Sequence, residues 1–282
     1  MSYRFLRFPG GKTKAVTLSY DDGSNYDKTL ADIIDRYGLK CTFNINSSRL
    51  QEGTGLTAED IKKLIERGHE AAIHGKHHVA CGIAAPIQGI KDVLACREEL
   101  ETALGRIIRG MAYADCGITR FANGTDYKTV KNYLTELGVA YSRTLGADNN
   151  RFELPADWHA WMPTAHHGNP QLMNYIEEFI SLNPDTLYWA DRHPRLFYIW
   201  GHSSEFKHND NWNLLEHICE KLGNKDDTWY ATNIEIYDYV NAYNSLVFSA
   251  DQTRVFNPTL IDVHFVVGND YHCIKSGETI TI

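Results

Sequence analysis

Apolar and polar positions along the chain alternate between two periods. Short runs such as AVTLSY (15–20), CTFNIN (41–46), EAAIHG (70–75), VAYSRTL (139–145) and RLFYIWGH (195–202) are rich in β-branched, aromatic and aliphatic residues, which predicts strands. Between them, apolar residues recur every third or fourth position over 27–38, 57–68, 86–109, 126–138, 169–184, 211–223 and 234–246, predicting amphipathic helices. The helix at 57–68 opens with a capping box, Thr57 followed three residues on by Asp60. GMAYADCG (110–117), HAWMPTAHH (159–167) and TWYATN (228–233) complete the extended segments.

Strands that alternate with helices pair in parallel through right-handed crossovers, so the pattern predicts an α/β sheet or barrel. Roughly seven such units over about 245 residues suit a closed barrel. The period changes near the end. Residues 248–282 alternate at period two, broken by Asn-Pro, Gly-Asn-Asp and Ser-Gly turns. They predict a small β appendage, too short to fold alone, on a barrel spanning 1–247.

Composition narrows the function classes. With 43% hydrophobic and 23% charged residues the chain is an ordinary globular protein. A net charge of −8, without a basic run, excludes nucleic acid and anionic membranes as partners. No segment reaches transmembrane length and the first residues carry no signal-peptide core, so a cytoplasmic protein is expected. Six scattered cysteines, none in a C-x-x-C pair, read as free thiols.

In parallel α/β architectures, functional groups gather where strands end. The predicted strand exits lead into Asp21 and Asp22, into His74-Gly-Lys-His77-His78, toward Arg120, into His166 and His167, and into His202. His74 and His78 lie four apart, so a single helical turn would put both imidazoles on one side. Asp22 would complete a set of two imidazoles and one carboxylate, suited to one divalent ion: zinc first, cobalt or nickel as alternatives. Asp21 is then free to accept a proton from water, since a bound cation lowers water's pKa from ~15.7 to about 7. Arg120 would orient Asp21, and His202 would protonate the leaving group. Taken singly, each feature has an ordinary explanation: a turn with a helix cap, a surface histidine pair, a structural arginine. Their joint occurrence at successive strand exits favours a metal-dependent hydrolase over a non-catalytic carbohydrate-binding protein.

This order of motifs resembles the polysaccharide deacetylase family (carbohydrate esterase family four). SYDDG is similar to the family's T-F-D-D-G, placing Asp21 as base and Asp22 as ligand. HGKHH is similar to H-[S/T]-x-x-H, with ligands His74 and His78, and YIWGH matches L-x-x-x-H, with His202 as acid. RFAN stands in place of R-P-P-Y, which implies a role for Arg120 and for the backbone N–H of Asn123 at the oxyanion. PADWHAW loosely echoes D-x-x-D-W through Asp157 and Trp158. The resemblance spans about residues 12–246 and implies a distorted (β/α)7 barrel. It further implies hydrolytic removal of an acyl group, N-acetyl above all, from a sugar. Trp161, Tyr198 and Trp200, with His166 and His167, would line the substrate pocket. Gly75, Phe121, Ala122 and Asn123 depart from the family pattern, which motivates an alternative: hydrolysis of a cyclic amide, ureide or formamide on the same scaffold. The oligomeric state is left open by the sequence.

Overall fold

The computed structural model describes residues 3–145 and 149–282. The chain opens with a short strand, β1 (Arg4–Arg7), that stands apart from the main sheet. Then come β2 (Lys14–Asp21), α1 (Asp27–Asp35), β3 (Cys41–Ile45), α2 (Ser47–Glu52), α3 (Ala58–Glu66), β4 (Glu70–Ile73), α4 (Pro86–Leu104), β5 (Gly110–Ala112), α5 (Tyr127–Glu136) and β6 (Tyr141–Arg143). The second half carries β7 (Ala165–His166), α6 (Leu172–Ser181), β8 (Arg195–Gly201), α7 (Ser203–His208), α8 (Trp212–Leu222), β9 (Thr228–Tyr230) and α9 (Asn233–Asn244). Five strands close it: β10 (Val247–Phe248), β11 (Arg254–Phe256), β12 (Val263–Val267), β13 (Asp270–Ile274) and β14 (Thr279–Thr281).

The main sheet runs β6-β5-β4-β3-β2-β8-β7, with every neighbouring pair parallel. Its ends approach each other. Trp161, just ahead of β7, bridges Arg143 of β6 in parallel, while Ala165 and His166 pair with β8. That closure makes a distorted (β/α)7 barrel, as expected. β2 is its axis. All eight of its residues are buried; β8 covers one edge, and β9 and β3 share the other. Both faces of β2 are covered, so polar Thr17 and Ser19 are buried on one face as fully as Val16, Leu18 and Tyr20 are on the other.

Local chemistry sets the helix bounds. Thr57 and Asp60 form the expected capping box of α3. α4 begins on Pro86 and ends at Leu104, shorter than the expected 86–109, because Gly105 adopts φ +67 and terminates it. The segment 159–167, expected to be extended, is instead a 3₁₀ turn (Trp158–Ala160) followed by the two-residue β7.

The last residues build two small antiparallel sheets, β10-β11-β14 and β1-β12-β13. β1 therefore pairs with a strand from the far end of the chain, Arg4 opposite Val267. Val255, Val263, Phe265 and Ile274 form a separate apolar cluster against Ala242 and Leu246 at the end of α9. Among the described residues no helix is long and apolar enough to cross a membrane, and all six cysteines are free.

Candidate metal and active site

β2 delivers two adjacent carboxylates by changing backbone conformation between them. Asp21 ends the strand and is buried, 1% exposed. Asp22 takes φ 81, a left-handed conformation uncommon outside glycine, and its side chain turns into the opening. The strand exit thus gives two like charges separate surroundings.

β4 ends at Ile73, and His74 follows directly. The link to His78 is a loop, not the expected helical turn: Gly75 has φ 77 and His78 φ 58. α4 shapes this loop, since Asp92 accepts from the His77 N–H at 2.8 Å. A Cβ on Gly75 would stand 2.4 Å from Asp92 Oδ2, so glycine is required there on two counts.

The result brings the expected trio together. One ligand atom each from Asp22, His74 and His78 lies within 4.8 Å of the others. Asp22 Oδ1 is 3.7 Å from both His74 Nε2 and His78 Nε2, and its Oδ2 is 3.3 Å from Arg49. His74 Nδ1 meets the Ala112 carbonyl at 3.0 Å, which fixes the ring and leaves Nε2 for the trio. That Nε2 is buried without a hydrogen-bond partner. A buried polar atom left unpaired costs free energy, and a cation at the centre of the trio would remove the cost. The donor set of two imidazoles and a carboxylate fits a divalent transition ion.

Asp21 is held by a different arginine from the one expected. Arg143, at the end of β6 and 0% exposed, donates to Asp21 Oδ2 at 2.5 Å, and Asn44 donates to Oδ1 at 2.8 Å. Burial by itself would raise the Asp21 pKa, but Arg143, with His74 and His202, outweighs it and holds the carboxyl below its usual range. Arg120 instead lies exposed on the loop beyond β5. Asn123 is exposed in the same loop, and its amide donates to the Ile83 carbonyl. The stretch that lines the cavity beside the trio is Tyr113 to Cys116, ahead of both.

That cavity, about 250 Å³, is bounded by Asp21, His74, His78, Trp200 and His202. Trp200 lines it, with the Arg143 guanidinium over its ring at 4.5 Å. Trp161 does not. It is 1% exposed, packed edge-on against Tyr141, Trp158 and Tyr198 in the core. Tyr198 is buried with it and bonds Asn233. Asp157 caps the 3₁₀ turn, accepting from the His159 N–H, and pairs with Lys131 and Tyr127 on the outside of the barrel. Trp161 and Tyr198 are buried in the core and Asp157 is engaged by Lys131 and Tyr127, so none of the three lines the cavity.

His202 Nδ1 is 3.0 Å from Glu205 Oε1, one turn on in α7. His166 and His167, expected to contact substrate, instead approach the other oxygen of Glu205 through Nε2 at 3.1 and 2.9 Å. The Gly168 N–H donates to His166 Nδ1, so Nε2 carries the proton and donates to Glu205. Burial would raise the Glu205 pKa, but the three imidazoles hold it far below the carboxylate range. Glu205 in turn acts on His202: burial opposes its charge, yet Glu205, Asp21 and Asp22 outweigh burial and raise its pKa. His166, His202 and Glu205 also form a second close group of metal-ligating types. The proton on His166 Nε2 marks that group as a hydrogen-bonded one.

Arg143 and Glu205 were missed from sequence. Both had a signal: an arginine inside the apolar strand pattern of VAYSRTL, and a carboxylate three residues beyond a strand-end histidine in GHSSEF.

Fold and rim together define a class: a distorted (β/α)7 barrel whose strand ends carry a candidate divalent-metal site with Asp21 and His202 beside it. The model of the polysaccharide deacetylase family matches residues 9–142, a little under half of the chain, and bears out the resemblance carried by the motifs. Asp21, Asp22, His74 and His78 fall inside that span; Arg143, His202 and Glu205 fall outside it. Among solved structures, a candidate polysaccharide deacetylase from Mycobacterium smegmatis aligns with TM-score 0.59 and 16% identity, over 86% of this chain and 96% of its own. The allantoinase Puue aligns with TM-score 0.58 and 12% identity, over 82% and 91%. At such identities the likeness establishes the shared fold. Among curated proteins, nothing matches the sequence.

Proposed function

We propose that this protein is a divalent-metal-dependent hydrolase that removes an acyl group, acetyl in the first place, from a carbohydrate. The observation that carries this reading is the buried, unpartnered Nε2 of His74, aimed with His78 and Asp22 at one point beside Asp21. A divalent ion held by Asp22, His74 and His78, zinc by preference and cobalt or nickel as alternatives, supplies Lewis acidity that brings a water to about pKa 7.

The chain's own residues do the rest. Asp21, kept ionised by Arg143 and Asn44, takes the proton of the attacking water. His202 donates a proton to the departing amine or alcohol, and Glu205 keeps it charged and oriented for that step. A backbone N–H in the Tyr113–Cys116 stretch stabilises the developing oxyanion, the role assigned from sequence to Asn123. Trp200 and Tyr113 enclose the acyl group and limit its size.

The test is acetate release from acetylated mono- and oligosaccharides, with and without chelator. Chelator should abolish turnover, added zinc or cobalt should restore it, and Asp21→Asn should lower kcat about 10²–10⁴-fold. A metal-loaded Asp21→Asn enzyme with full turnover overturns the mechanism.

A second reading, ring opening of a cyclic amide or ureide, is favoured by the small cavity of about 250 Å³ at the trio and by the fold shared with an allantoinase. The two readings separate on product: acetate from a sugar, or a ring-opened acid.

A further inference from the structure

The trio opens on two sides. Beyond Asp22 and His78, away from the acyl cavity, lies a second and larger hollow of about 710 Å³. Its remaining walls are Asn46, Ser48, Arg49, Glu52, Thr54 and His77, all of them polar. A site for an apolar or aromatic ligand would be lined mainly by apolar side chains, whereas this one offers hydroxyl, amide, guanidinium and carboxylate groups. The volume lies well inside the range of small-ligand sites, roughly 300–1,000 Å³.

The wall is tied to the candidate metal loop. α2 hangs from it by two backbone bonds, Ser47 N–H to the Gly75 carbonyl and Ser48 N–H to the Lys76 carbonyl, both at 3.3 Å. Ser47 Oγ also donates to Glu99 of α4 at 2.7 Å. With its amide oriented to satisfy its neighbours, Asn46 accepts from the His78 N–H and donates to the Lys76 carbonyl. A ligand held on α2 is therefore positioned relative to His74 and His78 by short, direct connections.

Charge defines the ligand. Arg49 uses one guanidinium nitrogen on Asp22, at 3.3 Å, which leaves further N–H groups of its fork for the hollow. Glu52 faces the same space with the opposite sign. One positive and one negative group suit a neutral, hydroxyl-rich ligand, since sugar hydroxyls both donate and accept.

Resting on the reading above, we propose that the α2 hollow binds the glycosyl part of the substrate. Arg49 and Glu52 select a neutral sugar, and the acyl group crosses the trio into the smaller cavity. The scissile bond then lies beside His78, which lines both cavities.

The test pairs turnover with direct binding. Glu52→Gln and Arg49→Gln should raise KM for N-acetylglucosamine oligomers at least tenfold, with kcat changed less than about threefold. KM for 4-nitrophenyl acetate, which lacks the sugar, should stay the same. Calorimetric titration of methyl β-glucoside, a neutral sugar without an acyl group, should show the same tenfold weakening in Glu52→Gln, with or without turnover. Metal content by elemental analysis controls for the contact of Arg49 with Asp22; Glu52→Gln should keep the wild-type value. If wild type and Glu52→Gln bind methyl β-glucoside and turn over the oligomers alike, the hollow is not the sugar site. Absence of turnover on both probes, with glucoside binding still weakened in Glu52→Gln, would sink the hydrolase reading and leave the sugar site standing. Methyl β-glucoside failing to bind the wild type at all overturns the site.

Discussion

Asp21 and Asp22 are neighbours in sequence with opposite environments, and the difference comes from one backbone angle and one arginine. Asp22 turns out through a left-handed φ to meet two imidazoles, while Asp21 stays in the strand against a fully buried guanidinium. Removing one member of a buried ion pair leaves the other uncompensated, at about 3–5 kcal/mol. Arg143→Gln should therefore lower the melting temperature and also cut turnover at least tenfold, whereas exposed Arg120→Ala should change neither beyond about twofold. Melting curves and acetate release on the two variants measure both. Asp27, at the start of α1, carries a second residue-scale consequence. Burial, only partly offset by the nearby Ser203 hydroxyl, pushes its carboxyl up to about 8. A carboxyl with a raised folded pKa binds its proton more tightly folded than unfolded. Its stabilising contribution is complete below the ordinary Asp value of 3.8 and is lost as pH rises to about 8. Asp27→Asn should melt near wild type at low pH and above it at pH values beyond about 8. Parallel pH–melting curves for the two proteins would refute a neutral Asp27.

At the level of elements, chemistry depends on how the segment after each strand is braced by its neighbour. The loop after β4 is shaped by Asp92 of α4, and Gly75 gives it room. Gly75→Ala should lower metal affinity about 10–100-fold, as disturbing outer-sphere support commonly does, and a metal-competition assay reads this directly. The end of β8 is matched to β7 in the same way. A Cβ on Gly201 would sit 2.0 Å from His167 Nδ1, so Gly201→Ala displaces His167 from Glu205. In the proposed role of acid His202 must be protonated, and its raised pKa keeps it so to higher pH. Weakening Glu205's support should then bring the alkaline fall of the rate to lower pH, seen as a shifted pH profile of kcat. An unshifted profile would mean that His167 only fills space.

Across the whole molecule, two couplings matter. An ion that binds only the folded trio adds stability by mass action, about 2.7 kcal/mol when its concentration is 100 times Kd. Zinc should raise the melting temperature of the wild type, chelator should reverse it, and Asp22→Asn should respond to neither. The second coupling joins the chain's ends. β1 pairs with β12, and Tyr239 of α9 bonds both the Arg7 carbonyl and the His264 N–H, at 2.9 and 3.0 Å. The expected boundary at 247 would strip β1 of its partner and uncover the cluster around Phe265. A chain ending at residue 247 should be less stable and less soluble than the full one.

The sequence by itself determined the alternation of strand and helix, and hence a parallel barrel. It also determined that Asp21, Asp22, His74, His78 and His202 sit at strand ends. Those features are local: period, spacing and the abrupt change from apolar run to polar residue are properties of short windows. Only the tertiary structure decided which arginine faces Asp21, which carboxylate supports His202, that Trp161 is core, and that β1 pairs across the length of the chain. Each of those turns on strand order, on which face a side chain leaves, and on how far a loop swings out before returning. Closing the barrel sets these quantities, because contacts between β6, β7 and β8 join residues that no local window contains.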